Sequence, residues 1–107
     1  AALTFAPAAS AKAAPGCCSG HVGLYPASGY PKDKCHGFSG TNLSFDEYPT
    51  IKDKMVSAWN GGTSGKAAII WAYEGHTGSH LCIPYNQKKD WKRPQRAQSN
   101  SWKPACP

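Results

Sequence analysis

The sequence predicts an all-β domain of two Greek-key motifs packed as a sandwich and stapled by disulfides. Three observations carry this. Short apolar or aromatic runs are cut by turns, and nine Pro and eleven Gly in 107 residues suit many short strands. Two stretches of about forty residues follow one plan. Each has a strand with an aromatic near its end (Tyr25; Tyr73), a Gly-containing turn, an irregular middle, and a closing strand pairing Ser with Trp (Ser57 and Trp59; Ser101 and Trp102). Finally, five scattered cysteines in so short a chain suggest a disulfide-held fold.

Residues 1–16 are Ala-rich with a single charge. Ala9-Ser10-Ala11 and Ala11-Lys12-Ala13 resemble the small-x-small pattern before a signal-peptidase cut. The segment reads either as a signal or pro-segment remnant or as a flexible mature N-terminus. Residues 17–107 read as one domain, large enough for one small core.

His21-Val22-Gly23-Leu24-Tyr25 reads as the first strand, stopped by Pro26 at a turn over residues 26–29. Residues 30–40 are polar and irregular, and residues 41–45 form a short strand before the acidic-aromatic turn Phe45-Asp46-Glu47-Tyr48-Pro49. In the strand over residues 54–59, Met55, Ser57 and Trp59 share one face and Lys54, Val56 and Ala58 the other. Asn60-Gly61-Gly62 ends it, a pattern that tolerates positive φ, and a flexible link follows to residue 66. Ala67-Ala68-Ile69-Ile70-Trp71-Ala72-Tyr73 is the most apolar run and reads as a buried strand. Residues 74–78 turn, residues 79–83 form a strand stopped by Pro84, residues 85–96 are polar and basic, and residues 99–103 form the last strand.

Twelve basic against six acidic residues give a net charge of +6. That favours acidic partners: anionic cell-wall polymers, membrane surfaces, nucleic acid or an acidic protein. No apolar run is long enough to span a bilayer as a helix. Cys17, Cys18, Cys35, Cys82 and Cys106 lack the paired spacing of a structural zinc site and are disulfide candidates in an extracellular setting. Five is odd, so one sulfur is free or pairs between chains. Adjacent Cys17 and Cys18 are poorly placed to bond each other. One of them pairing with Cys106 would tie the ends together, a closure worth about 4–5 kcal/mol in the chain-entropy model. The spacing leaves the connectivity open.

No constellation reads as catalytic. His76 and His80 are four apart, but on a turn and strand that spacing has no metal geometry, even with Cys82 nearby. Cys35-His36 are sequence neighbours, which seldom meet as nucleophile and base, and a disulfide suits Cys35 better. Glu74 with His76 would suit the acid and base of a small secreted nuclease but carries no nuclease motif, and Asp46 and Glu47, adjacent in a strand, point to opposite faces. No metal or cofactor is expected.

The sharper feature is the run Lys88-Lys89-Asp90-Trp91-Lys92-Arg93-Pro94-Gln95-Arg96. Its five cations around an aromatic suit a polyanion or an acidic protein face, with Trp91 either a stacking anchor or turned into the core. A second candidate face lies over residues 26–40, with Tyr25, Tyr30, Lys32, Lys34 and Phe38. Either stretch, or residues 63–66, would serve as a rigid loop entering a protease cleft.

These motifs resemble the βγ-crystallin fold and, more narrowly, small secreted bacterial βγ-crystallin-type peptidase inhibitors. The run from Cys17 through Gly20 to Leu24-Tyr25 is similar to that family's opening Cys-Pro-x-Gly-x-x-Cys-Leu-Tyr. Lys52-Asp53-Lys54-Met55-Val56-Ser57-Ala58-Trp59-Asn60 resembles its motif ending, and Trp102 with Cys106 its terminal Trp-x-x-x-Cys. Gly23 replaces the family's second cysteine and Cys18 its proline. The crystallin calcium frame falls on residues 52–57, where Asp53 and Ser57 alone fit, flanked by Lys52 and Lys54, and the second frame near residues 96–101 has no carboxylate. A calcium site is therefore not expected. The resemblance implies a secreted, monomeric peptidase inhibitor directed at an extracellular protease. The alternative is a basic antimicrobial or antifungal killer-toxin-like protein on anionic microbial surface polymers. No specific nucleic acid is expected.

Overall fold

Every described strand runs antiparallel to its neighbours, and the chain alternates between two sheets in a way that follows from its turns. The computed structural model describes residues 20–107, so expectations placed on residues 1–19, Cys17 and Cys18 included, lie outside the described residues. Strands β1 (Val22–Tyr25), β2 (His36–Phe38), β3 (Met55–Asn60) and β6 (Lys88–Gln95) form one sheet in the order β2-β1-β3-β6. Strands β4 (Ala67–Tyr73), β5 (Thr77–Ile83) and β7 (Ser99–Lys103) form the other, in the order β5-β4-β7. β6 belongs in sequence to the second half yet pairs with β3 of the first. Its counterpart, expected as a strand over residues 41–45, crosses to the second sheet but makes one bridge, Asn42 to Asn100, with Phe45 N donating to Gln98 O. Each half is thus a Greek key that lends its third segment to the opposite sheet.

The core lies between the sheets. Val22 and Leu24 from β1, Met55 and Ala58 from β3, Ala68 and Ile70 from β4, and Ile83 from β5 form it with Phe38, Phe45, Ile51 and Ala97. The acidic-aromatic turn closes one side: Phe45 stacks on Phe38 at 4.8 Å, and Tyr48 meets Phe38 edge-on at 5.0 Å. Fully burying one such side chain contributes roughly 1.5–3 kcal/mol.

Three expectations are corrected. Met55 and Ala58 both face the core although strict alternation opposes them, because the β3–β6 register shifts between Met55 and Ser57. Asn60-Gly61-Gly62 does not turn through positive φ. Buried Asn60 instead donates to Lys66 O and Ile83 O and accepts from Gly62 N. A Cβ at Gly62 would lie 3.0 Å from Asn60 Oδ1 and 3.2 Å from the Trp102 ring, so close approach is what favours glycine there. Cys106 does not tie the chain ends together: it pairs with Cys82, and that bond also removes Cys82 as a metal ligand. Cys35 is disulfide-bonded as expected, and its partner lies outside the described residues.

β4 and β7 occupy the expected ranges, and β5 starts two residues earlier than expected. Two elements fall inside stretches read as irregular: β2, beside a single 3-10 turn at Lys32–Lys34, and β6, within the basic run.

Candidate binding surface on the basic edge strand

β6 is an edge strand, and its cations follow from that. Edge strands carry charge because a Lys-rich rim discourages pairing with a further chain. The rungs Met55–Gln95 and Ser57–Asp90 lie two residues apart on β3 but five apart on β6. Trp91, Lys92, Arg93 and Pro94 therefore balloon out of the ladder. Lys92 takes a left-handed backbone, φ 63°, and Pro94 has no N–H to leave unpaired. The bulge is held by Asp90, whose carboxylate accepts from Lys92 N at 2.9 Å, Gly29 N at 3.0 Å and Ser28 Oγ at 2.5 Å. The Ser28 hydrogen bond, and then those from the two backbone amides, hold the Asp90 carboxyl below the usual range against a desolvation cost.

Lys88, Lys89, Lys92 and Arg93 are exposed, and among the described residues none of them forms an ion pair. Arg96 is also exposed but lies 3.8 Å from Asp53 and over the Tyr73 ring at 5.3 Å. Lys88 Nζ rests over Trp59 at 4.6 Å and over Tyr30 at 5.2 Å. Tyr30 is thus brought to the basic strand, as a cation–π partner. Trp91 is half-buried against the core.

The second candidate face divides. Tyr25 and Phe38 are buried, so they present nothing to a partner, while Lys34 is exposed. Burial, with Tyr30 adding to it, pushes the Tyr25 hydroxyl up to about 12. Residues 63–66 are exposed, and Thr63, Ser64 and Lys66 line a polar cleft of about 460 Å³ with Gly20, Ser39, Gly40, Thr41, Gly62 and Trp102.

The remaining titratable groups do structural work. Asp46 and Glu74 share Lys52, at 2.5 and 3.6 Å. The Lys52 hydrogen bond holds the Asp46 carboxyl low. His76 lies against Trp71 with its Nε2 2.8 Å from Asn100 O, and Glu74 is turned to Lys52 instead. Asp53 accepts from Ala97 N and from Gln98 Nε2, so both carboxylate oxygens are engaged. Among the described residues no three His, Cys, Asp or Glu side chains converge as a metal site.

The lending of a third segment between sheets is the deciding topological fact, and solved structures superpose on it across most of the chain. This is the βγ-crystallin domain fold. A domain solved in work on the evolution of the eye-lens βγ-crystallin fold superposes with TM-score 0.67 at 14% identity, covering 80% of this chain and 87% of that one. A single-site mutant of a βγ-crystallin domain from Clostridium beijerinckii gives 0.59 at 17% identity, over 77% and 95%. Spherulin 3A from Physarum polycephalum gives 0.54 at 13% identity, over 79% and 84%. No family model and no curated protein sequence matches.

Within this βγ-crystallin fold, sequence reasoning missed Trp59, Ser28 and the Asp90 clamp. Tyr30 packs on Tyr25 and Trp59, each at 5.6 Å, a contact between separate strands that the sequence does not announce. The Asp90 clamp spans 61 residues to Gly29 and has no local signal.

Proposed function

We propose that this protein is a secreted binding module, not an enzyme, that attaches to an anionic microbial surface polymer through the bulged edge strand β6. One observation carries the reading: Lys88, Lys89, Lys92 and Arg93 stand exposed, without ion pairs among the described residues, on a rim clamped by Asp90. Like charges held close together raise the local potential, so a flexible polyanion gains most by lying along them. The Cys82–Cys106 disulfide and bonded Cys35 favour an oxidising, extracellular compartment. Basic antimicrobial or antifungal action at a cell surface is the biological form this binding would take.

A second reading, peptidase inhibition, draws on the same bulge. Lys92-Arg93-Pro94 protrudes, is held at its base by Asp90, and carries residues that a protease selecting basic side chains reads. Pull-down on insoluble anionic cell-wall material and on a protease panel, at low and high salt, separates the two. Salt-sensitive retention on the wall polymer, lost when Lys88, Lys89, Lys92 and Arg93 are changed to Gln, supports surface attachment. Stoichiometric, salt-tolerant protease capture with loss of peptide cleavage would replace it with the inhibitor reading.

A further inference from the structure

The polar cleft beside Trp102 stands apart from β6 in the fold. It is built where the chain enters β1 (Gly20), leaves β2 (Ser39, Gly40, Thr41), links β3 to β4 (Gly62, Thr63, Ser64, Lys66) and ends β7 (Trp102). In the first sheet β2 and β6 form opposite edges, so a ligand here and a polymer on β6 use different residues.

Three features point to a ligand class. First, Trp102 is fixed: its Nε1 donates to Gly40 O at 3.1 Å, and its ring edge lies where a Gly62 side chain would be. A held, half-exposed indole is a platform for the C–H face of a sugar ring and loses little entropy on binding. Second, the hydroxyls of Ser39, Thr41, Thr63 and Ser64 line the cleft, and among the described residues none of them makes a hydrogen bond to another protein group. The neighbouring backbone is already engaged, since Gly40 O accepts from Asn100 and Trp102, and Gly62 N donates to Asn60. The hydroxyls are therefore the groups left to read a ligand. Third, Lys66 on the wall is exposed and has no ion pair among the described residues. A volume of about 460 Å³ falls within the roughly 300–1,000 Å³ of small-ligand sites.

We infer that this cleft is a binding site for a short acidic saccharide, with Trp102 stacking on a sugar ring, the four hydroxyls hydrogen-bonding its hydroxyl groups, and Lys66 pairing with its carboxylate. A uniform apolar ligand does not fit walls so rich in hydroxyls. An inorganic anion would leave the indole platform unused.

The test is titration of the full oxidised protein with digalacturonate and trigalacturonate, followed by backbone amide NMR shifts. Maltotriose is the uncharged control and inorganic phosphate the sugar-free anion. The inference expects saturable shifts at Gly40, Gly62, Thr63 and Ser64 with the uronates. Lys66→Ala should weaken uronate binding about ten-fold and leave maltotriose unchanged, the loss of one charge-assisted hydrogen bond. Gly40→Leu should weaken binding by adding bulk at a cleft-lining position, where a Cβ meets no atom within 4 Å, with circular dichroism checking that the strands are kept. Changing Lys88, Lys89, Lys92 and Arg93 to Gln should leave short-uronate binding intact. Shifts confined to β6 would overturn the inference while sparing the β6 reading. Equal response to phosphate alone, or unchanged affinity in both Lys66→Ala and Gly40→Leu, would also overturn it.

Discussion

The two Greek keys bend through the same backbone with different side chains. Tyr25 pairs with Ser57 and Trp71 with Ser99. Two residues after each aromatic, a carbonyl accepts from that serine: Ser57 Oγ to Ala27 O at 2.8 Å, Ser99 Oγ to Tyr73 O at 2.7 Å. Four residues on comes a positive-φ glycine, Gly29 or Gly75, and five on a left-handed Tyr30 or His76. The equivalence is thus Tyr25 with Trp71 and Ser57 with Ser99, where sequence alone suggested Tyr73 and Ser101. The halves differ in what the borrowed third segment brings. Gly29 N donates to the Asp90 carboxylate of β6, whereas Gly75 N donates to the backbone carbonyl of Leu43. A side-chain clamp with cations around it sits on one hairpin, and a plain backbone contact on the other. The repeated geometry belongs to the fold, and the divergence coincides with the surface proposed above for binding.

The largest way to break this symmetry is at the paired aromatics. Tyr25 is fully buried and Trp71 half-buried, so Tyr25→Ala should cost about 3–5 kcal/mol and Trp71→Ala distinctly less, by urea denaturation. Equal costs would mean the halves share load equally. Next is the staple on the second half. Its closed loop has a sequence separation of 24, so Cys82→Ser with Cys106→Ser should lower stability by about 3 kcal/mol without loss of strand signal in circular dichroism. The serines come third. Either Ser→Ala change removes a buried hydrogen bond at about 1–3 kcal/mol, and Ser99→Ala should cost more because Ser99 Oγ also accepts from His76 N.

The smallest effect is on pH dependence. Asp90 is held below its unfolded value chiefly by Ser28, so its contribution is present above the ordinary carboxylate range and lost as pH falls through the folded value. Asp90→Asn should flatten the acid limb of the stability curve. An unchanged acid limb in Asp90→Asn would remove the clamp from the account.

Strand β4 was legible because its burial is local, an apolar run between turns, and β7 because its Ser and Trp echo the closing strand of the first half. β6 was not, because an edge strand of Lys, Asp and Arg has no apolar face to announce it. The Met55–Ala58 phase change needs a partner strand to exist at all. The basic residues of the candidate site could be named from sequence. The lack of ion pairs at Lys88, Lys89, Lys92 and Arg93 among the described residues, the inward turn of Trp91 and the role of Tyr30 under Lys88 depend on contacts between distant parts of the chain, such as Ser28 with Asp90, 62 residues apart. The cleft at Trp102 was equally hidden, since three separate connections and strand β7 build it.

The most direct test of the central claim is the salt dependence of binding to a soluble anionic wall polymer. It compares the native protein with a variant carrying Gln at Lys88, Lys89, Lys92 and Arg93. The account predicts steep weakening with salt for the native protein and a much shallower dependence, with lower affinity, for the variant. Equal affinity and equal salt slopes for the two proteins would contradict it.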